Sequence, residues 1–303
     1  MGRIADALKR AQQERSQRLG QVSEMPFADT GSVGPMRISG RGLRRVDSLS
    51  EVAQSLLNTP PPPQPFPITA PPIPSELVGA EVVSLHDPGS AAAEKYRSAR
   101  TRLITANPGG GPRVLALTSA LRGEGKTVTT ANLGFSLSEL KYLRVAMIDI
   151  DFHGRGLSCL LGAENEPGLA EILRGEMSLA DACMPVVRDN LYLIPAGNPA
   201  GMAASELLSG KLIGSFFKEM TERFHYSLID TPPVHEAADT GLIAPLCHAV
   251  IMVVRMNRTP EPLLNRCVKM LQANRVTVAG CILAGYTETA MSCETHDYYQ
   301  SPS

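Results

Sequence analysis

The sequence of 303 residues has no tryptophan, and aromatic residues make up only 5% of it. No apolar run reaches the length of about 18 residues that a bilayer-spanning helix needs. The first ten residues, MGRIADALKR, contain no apolar stretch of the kind found in a secretory signal peptide. Asp6 stands where a myristoylation signal needs serine or threonine. We therefore expect a soluble protein that reaches a membrane only through a partner or a surface helix.

Strong charge and paired cysteines are also missing. The formal net charge is -1, so bulk charge predicts no nucleic-acid binding. The six cysteines form no CxxC pair, which speaks against a zinc site or a disulfide scaffold and favours reduced thiols in a cytoplasm. At 43% hydrophobic residues, the chain nevertheless has enough apolar material for a core.

The N-terminal part differs from the rest in composition. Residues 1–20 are expected to form a basic, weakly amphipathic helix that docks on a partner or an anionic surface. A frayed terminus explains the same pattern equally well, because isolated helices this short are marginal. Residues 21–84 are expected to be a mostly disordered linker, since nine of the 24 prolines fall between Pro60 and Pro74.

Strand and helix patterns alternate from residue 85 onward. Strands are predicted at 113–120, 144–151, 191–197, 226–233, 249–256 and 276–285, and helices at 91–105, 126–140, 205–223 and 260–273. Apolar strands without polar alternation suit a sheet that is covered on both faces. The alternation predicts an α/β fold with a doubly wound, mainly parallel sheet. We expect this domain to span 85–286 and a flexible C-terminal tail to span 287–303.

The stretch ALRGEGKT, residues 120–127, follows an apolar strand and opens a helix, which is the context that a P-loop requires. Glycines let the backbone curl so that its N–H groups and the helix N-terminus point at a phosphate. Lys126 would reach the β- and γ-phosphates, and the Thr127 hydroxyl would serve Mg²⁺. The predicted nucleotide-binding residues are Gly123, Glu124, Gly125, Lys126, Thr127 and Val128.

Aspartates end two other predicted strands. MIDID carries Asp149 and Asp151, and LIDTPP carries Asp230. Ligands of open α/β sheets lie at the carboxyl ends of the strands. Mg²⁺ takes few protein oxygens and keeps several waters, so three carboxylates beside a P-loop predict a magnesium site.

These motifs resemble those of the bacterial tyrosine kinases of capsule and exopolysaccharide export. The resemblance covers residues 85–286, and ATP and Mg²⁺ are the cofactors that it implies. The family's Walker A motif, S-x-x-P-G-E-G-K-[ST], is matched from Ser119 to Thr127, with Arg122 in place of the proline. The Walker A′ motif corresponds to Asp149 and Asp151, the Walker B motif I-D-T-P-P to Ile229–Pro233, and the helical motif E-x-x-R-x-x-R to Glu94, Arg97 and Arg100.

The resemblance implies an ATP-dependent protein-tyrosine autokinase that regulates polysaccharide polymerisation and export. It implies catalytic roles for Lys126, Asp149 and Asp151, with Asp149 assisting deprotonation of the acceptor, and metal-binding roles for Thr127, Asp151 and Asp230. Glu94, Arg97 and Arg100 would pack subunits into a ring, and Tyr298 and Tyr299 would accept phosphate in trans. The protein would lie at the inner face of the plasma membrane through a separate membrane adaptor, a chain-length determinant.

Three departures from the family pattern keep other functions open. His153 replaces the usual basic residue, Ala203–Leu208 matches only half of N-P-x-E-L-L, and the tail offers only two adjacent tyrosines. A partitioning or septum-site ATPase would share the fold, but its signature lysine corresponds to Leu121 here. A non-catalytic ATP-binding partner of an export complex is the third alternative.

Overall fold

The computed structural model describes residues 36–39, 42–45, 67–235 and 238–285. The chain divides into two units, residues 1–34 and 35–303, and all described residues belong to the second. The predicted helix over 1–20 and the predicted tail with Tyr298 and Tyr299 lie outside the described residues.

Two short strands, β1 (Met36–Ser39) and β2 (Gly42–Arg45), form a separate antiparallel pair within the stretch assigned to the linker. Ser39 pairs with Gly42, so only two residues join the strands. Hairpin connections of two residues favour glycine, and Gly40 is one of the two. These eight residues thus form paired strands within the predicted linker.

The main sheet has seven strands. They are β3 (Arg113–Ser119), β4 (Val145–Asp149), β5 (Met184–Val186), β6 (Arg188–Ile194), β7 (Tyr226–Asp230), β8 (Ala249–Arg255) and β9 (Val278–Ala284). Their spatial order is β5-β6-β4-β7-β3-β8-β9. All neighbours are parallel except β5, which runs antiparallel to β6. The predicted doubly wound, mainly parallel sheet is confirmed.

Ten α-helices accompany the described strands. They are α1 (Val83–His86), α2 (Ala91–Thr105), α3 (Lys126–Ser138), α4 (Gly156–Leu160), α5 (Leu169–Arg174), α6 (Leu179–Ala182), α7 (Ala204–Leu208), α8 (Ile213–Arg223), α9 (Ala238–Ile243) and α10 (Glu261–Ala273). The Ser90 side chain caps α2 by accepting from the N–H of Ala93 at 3.2 Å, so this helix begins where the sequence predicts. The single helix predicted over 205–223 is divided into α7 and α8 by a turn around Gly210.

Hydrophobic cores lie on both faces of the sheet. Successive strand residues point to opposite faces. Accordingly, Leu115 and Leu117 join the core that holds Leu133 and Phe135 of α3. Ala116 belongs to the other core, which includes residues of α7, α8 and α10. Burial on both faces explains why the strand sequences are apolar without alternation.

Residues 67–84 belong to this domain and not to the linker. Ile73 is 3% exposed, its N–H donates to the carbonyl of Pro185 at 2.7 Å, and its carbonyl accepts from the N–H of Val187 at 2.9 Å. Val82 is fully buried in the same core. A proline-rich stretch suits a sheet edge because proline needs no donor partner there. The domain therefore begins before residue 85.

Candidate nucleotide and metal site

Strand order brings the predicted site residues to one edge of the sheet. β7 lies between β3 and β4, and Asp230 at its end is level with Leu117 of β3 and with Asp149 of β4. The loop after β3 and the carboxylates after β4 and β7 therefore share the carboxyl edge. This is the position where ligands of open α/β sheets bind.

The loop after β3 has the backbone shape of a phosphate cradle. Gly123 and Gly125 adopt positive φ angles of 72° and 94°, which cost glycine little. Gly125 forms the N-cap of α3, and Lys126 is its first residue. Lys126 is 9% exposed, and its charge acts on Asp230 by lowering that carboxyl's pKa. The helix N-terminus and the buried lysine together favour an anion here.

The Glu124 side chain lies inside the protein and hydrogen-bonds to the loop itself. It is fully buried, and its Oε2 accepts from the N–H of Leu121 at 3.0 Å, while its Oε1 accepts from the hydroxyl of Thr259. Its side chain thus supports the loop, although the sequence places Glu124 among the nucleotide-binding residues. Val128, in the same predicted set, directs its carbonyl to the side chain of Asn132 at 2.9 Å.

Arg258 also holds the loop from outside. Its guanidinium donates to the carbonyl of Gly123 at 3.2 Å and to the carbonyl of Arg122 at 3.1 Å. Sequence reasoning misses Arg258 and Thr259, because they follow β8 and lie more than 130 positions from the loop. No motif marks them, and only the sheet order places β8 beside β3.

The chemistry of Mg²⁺ fits Thr127 and Asp230. The Thr127 hydroxyl donates to Oδ2 of Asp230 at 2.7 Å, and Oδ1 of Asp230 is buried without a hydrogen-bond partner in the described part of the chain. Burial, with the charge of Asp149 as the next cause, raises the pKa of Asp230. An orphaned carboxylate oxygen in a dry position is stabilised by a cation, and Mg²⁺ prefers oxygen ligands.

Asp149 is embedded in hydrogen bonds. Its Oδ2 accepts from the N–H and the hydroxyl of Ser158, each at 2.8 Å, and its Oδ1 accepts from the N–H of Asp151 at 3.0 Å. Burial raises the pKa of Asp149 to about 6, although these hydrogen bonds lower it. The carboxylate therefore fixes the start of α4, in addition to any role in catalysis.

The three predicted carboxylates do not form one metal cluster. Asp151 is half-buried, and its Oδ1 accepts from the N–H of Gly154 at 2.8 Å. Within the described residues, no group of three histidine, cysteine or acidic side chains is placed to hold a metal by itself. A cation would instead use Thr127, Asp230 and the phosphate oxygens of a nucleotide, with Asp151 as the remaining candidate.

The predicted oligomerisation residues make contacts inside the chain. Arg97 donates through Nε to Oε2 of Glu139 at 3.0 Å and through Nη1 to Glu94 at 3.2 Å. Arg100 pairs with Glu139 at 2.5 Å and donates to the carbonyl of Ser136 at 2.7 Å. These bonds fasten α2 to the end of α3, so both arginines support the fold of a single chain.

Comparison with known proteins identifies relatives of the same kind. The family model described as "ParA: NUBPL iron-transfer P-loop NTPase" matches residues 112–300. The tyrosine-protein kinase Wzc of Salmonella typhi is 30% identical over 225 residues, which cover 73% of this chain and 30% of that protein. The tyrosine-protein kinase YwqD of Bacillus subtilis is 26% identical over 204 residues, covering 67% of this chain and 85% of that protein.

A solved structure agrees with these relatives. The BceF tyrosine kinase domain superposes with a TM-score of 0.58 at 25% identity, covering 78% of this chain and 98% of that domain. The resemblance to bacterial tyrosine kinases seen in the sequence motifs is thus confirmed. The chain spans only about a third of the length of Wzc. Among the described residues, no helix has the length and apolar character needed to cross a membrane.

Proposed function

We propose, on the premise that the chain belongs to the ParA family of P-loop NTPases, that it is an ATP-dependent protein-tyrosine autokinase. The observation that carries the proposal is the Thr127–Asp230 contact beside the P-loop, where one carboxylate oxygen has no partner among the residues that the structure describes. Relatives named as tyrosine-protein kinases support the choice of reaction. The proposal includes the roles that the family resemblance implies for four further residues. Asp149 and Asp151 would be catalytic, and Tyr298 and Tyr299 would accept phosphate.

Phosphoryl transfer depends mainly on positioning and charge neutralisation. Different residues of the site would supply these two functions. Backbone N–H groups from Gly123 to Thr127 would hold the phosphates, and Lys126 would bind their charge. Thr127 and Asp230 would hold Mg²⁺, with Asp151 as a further ligand. When bound, Mg²⁺ would neutralise phosphate charge.

Asp149 is our candidate to assist proton loss from the acceptor tyrosine. A pKa raised to about 6 makes it a better proton acceptor than an ordinary aspartate at neutral pH. Its hydrogen bonds to Ser158 also give it a structural role. Asp149→Asn and Ser158→Ala separate the two roles, because both disturb the start of α4 and only the first removes the carboxylate.

The acceptor and the oligomer are the finer parts of the proposal. Tyr298 or Tyr299 would be phosphorylated by a neighbouring subunit in a ring-like homo-oligomer. Arg97 and Arg100 would contribute to the ring only in addition to their bonds with Glu139. An assembly test on Arg97→Ala/Arg100→Ala therefore needs Glu139→Gln as a matched variant, since it loosens the same α2–α3 contact and leaves both arginines in place.

The biological setting is proposed from the relatives. Succinoglycan biosynthesis transport protein ExoP of Rhizobium meliloti is 29% identical over 198 residues. By this analogy the chain would regulate exopolysaccharide or capsule polymerisation and export. It would be cytoplasmic, at the inner face of the plasma membrane, held there by a membrane adaptor or chain-length determinant protein.

The decisive experiment is phosphotyrosine detection on the full chain incubated with ATP and Mg²⁺. The proposal expects a signal that is lost in Lys126→Met and strongly reduced in Tyr298→Phe/Tyr299→Phe. A full phosphotyrosine signal in Tyr298→Phe/Tyr299→Phe would show that another tyrosine is the acceptor, and Tyr286 would be the next candidate. ATP turnover without phosphotyrosine would establish the second candidate, a partitioning-type ATPase switch, which the family match favours. ATP binding with neither activity would establish a non-catalytic partner protein.

A further inference from the structure

The solvent side of α10 carries a shallow groove. The groove has a volume of about 580 Å³ and is lined by Pro262, Asn265, Arg266, Lys269, Met270 and Ala273. These positions recur at spacings of three and four, so they share one face of the helix. Cys267 and Leu271, which lie on the other side, are buried in the core. The grooved face is therefore the one that α10 presents to solvent.

The chain segment that runs from the end of β8 through α10 has unbalanced positive charge. Residues 255–275 contain five Arg or Lys against a single acidic residue, Glu261. Arg255, Arg266 and Lys269 are exposed and form no ion pair within the part of the chain that the structure describes. Arg258 is exposed as well and binds only backbone carbonyls there. We call these four cations, together with the groove, the basic surface of α10.

The chain leaves β9 at this surface. The N–H of Met256 donates to the carbonyl of Ala284 at 2.9 Å. A Cβ built on Gly285 would meet the Arg255 side chain at 3.6 Å. The residues that follow, 286–303, contain three acidic side chains and no Lys or Arg. A segment with three acidic side chains thus begins one residue beyond Gly285, which lies beside Arg255.

We propose that residues 286–303 dock on the basic surface of α10 of the same chain. Glu288, Glu294 and Asp297 would face the cations, and the aromatic side chains at 298–299 would enter the groove beside Met270. Reach is sufficient, because the 13 residues from Gly285 to Tyr298 extend at most about 45 Å, while a helix of 13 residues is about 20 Å long. The tether supplies an effective concentration of order millimolar, so even a weak site is filled.

The regulatory meaning of this docking rests on the proposed function, whereas the docking itself does not. A segment held on its own α10 keeps Tyr298 and Tyr299 away from a neighbouring subunit's P-loop. Each phosphate would add about -1.5 to -2 charges to the segment. The phosphorylated segment therefore binds the cations more tightly than the unmodified one, which withdraws the product from the active site.

Photo-cross-linking of the full chain tests the docking without nucleotide. p-Benzoylphenylalanine replaces Tyr299, and isotopically light and heavy chains are mixed so that cross-links within one chain are distinguished from those between chains. We expect cross-links into residues 255–275 of the same chain. Arg266→Ser/Lys269→Ser should reduce their yield at least fivefold, and so should 1 M salt, where the Debye length falls to about 3 Å.

The matched control is Lys141→Ser/Lys211→Ser, which removes two exposed cations from other surfaces and should leave the yield unchanged. Cross-links that map mainly between light and heavy chains, or to residues outside 255–275, would overturn the proposal. An unchanged yield in Arg266→Ser/Lys269→Ser with native circular dichroism would overturn it too. Failure of the kinase proposal is read separately, from phosphotyrosine, and leaves this result intact.

Discussion

The hydroxyl of Thr127 donates to Oδ2 of Asp230 at 2.7 Å, so the first turn of α3 is joined directly to the end of β7. The bond links the element that begins a phosphate cradle to the carboxylate of the neighbouring strand. Because the second oxygen of Asp230 is buried and unpaired among the described residues, this pair gives the clearest expectations for variants.

Asp230→Asn should abolish the part of ATP-induced stabilisation that depends on Mg²⁺. A ligand at 100 times its Kd adds about 2.7 kcal/mol to the free energy of unfolding, and without the carboxylate the metal loses a ligand. Urea unfolding with ATP, in the presence and absence of Mg²⁺, measures the effect. Asp189→Asn, at an exposed position on β6, should behave as wild type. If Mg²⁺ increases the ATP-induced stabilisation equally in Asp230→Asn and Asp189→Asn, Asp230 is not a ligand of the metal.

Lys126→Met should weaken ATP binding at least about tenfold, because a charge-assisted contact is worth about 1.5–3 kcal/mol. The side chain is buried at the N-terminus of α3, where its ammonium group can reach a bound phosphate. Isothermal titration calorimetry on the full chain gives the affinity. Lys141→Met is the matched surface variant, and unchanged affinity in Lys126→Met would refute the P-loop assignment.

Thr259→Val should lower ATP affinity roughly five- to tenfold without touching the cradle. The substitution leaves the buried carboxylate of Glu124 with one oxygen unpaired, at a cost of about 1–3 kcal/mol. The loop then relaxes away from the shape that binds phosphate. Thr221→Val on α8, whose hydroxyl donates to its own helix, serves as control. If the two variants bind ATP equally well, Glu124 does not need Thr259 to hold the loop.

Ser158→Ala should destabilise the domain by about 2 kcal/mol, because two buried partners lose a hydrogen bond. The hydroxyl donates to Asp149 and accepts from the N–H of Ala196 at 3.0 Å, joining β4 to the end of β6 through α4. Denaturant unfolding compares this variant with Ser215→Ala, which removes an exposed hydroxyl from α8. Loss of less than about 0.5 kcal/mol would show that the network is dispensable.

Glu139→Gln should cost stability at neutral pH and none in acid. Burial alone would raise the pKa of Glu139, but hydrogen bonds from Arg97 and Arg100 outweigh it and lower the pKa. A lowered pKa contributes stability above the ordinary value of 4.5, and this contribution is lost as the pH falls through the folded-state value. We expect a difference of roughly 1 kcal/mol at pH 7, reduced by solvent screening of this partly exposed pair.

Urea midpoints at pH 7 and pH 3 check this expectation. Glu166→Gln, at an exposed position, provides the control for removing one acidic charge. A gap between wild type and Glu139→Gln that persists at pH 3 would show that the arginines bind something other than the ionised carboxylate.

The sequence predicts those features that depend on local pattern. All six predicted strands are present. Five of them are largely buried on both faces, which leaves a continuous apolar signature, whereas β9 is partly exposed. β5 escapes detection, since three residues with a central Pro185 carry no periodicity. Ile73 is missed for a related reason: prolines that indicate a linker also suit a sheet edge. Both segments are ordered by the strand that they pair with, and their own sequences carry no strand pattern.

The site residues also separate into those that local sequence pattern predicts and those that depend on distant pairing. Gly125, Lys126 and Asp230 are marked by their neighbours in sequence, and the fold brings them together. The support from Arg258 and Thr259 arises only when β8 lies beside β3. The internal pairing of Arg97 with Glu139 is equally invisible, because 42 positions separate the two residues.

Among the strands that the structure describes, β9 pairs with β8 alone, and much of its surface is exposed. Its last residue nevertheless reaches the cradle, because a Cβ on Gly125 would lie 3.5 Å from that of Ala284. A one-sided strand opens at a lower free energy than the centre of the sheet, so its amide protons exchange with solvent earlier. If phosphate binding stabilises the cradle, the amide protons of β9 should exchange more slowly with phosphate bound than without it. Hydrogen exchange along β9 would then report phosphate binding, although no residue of β9 is assigned to bind phosphate.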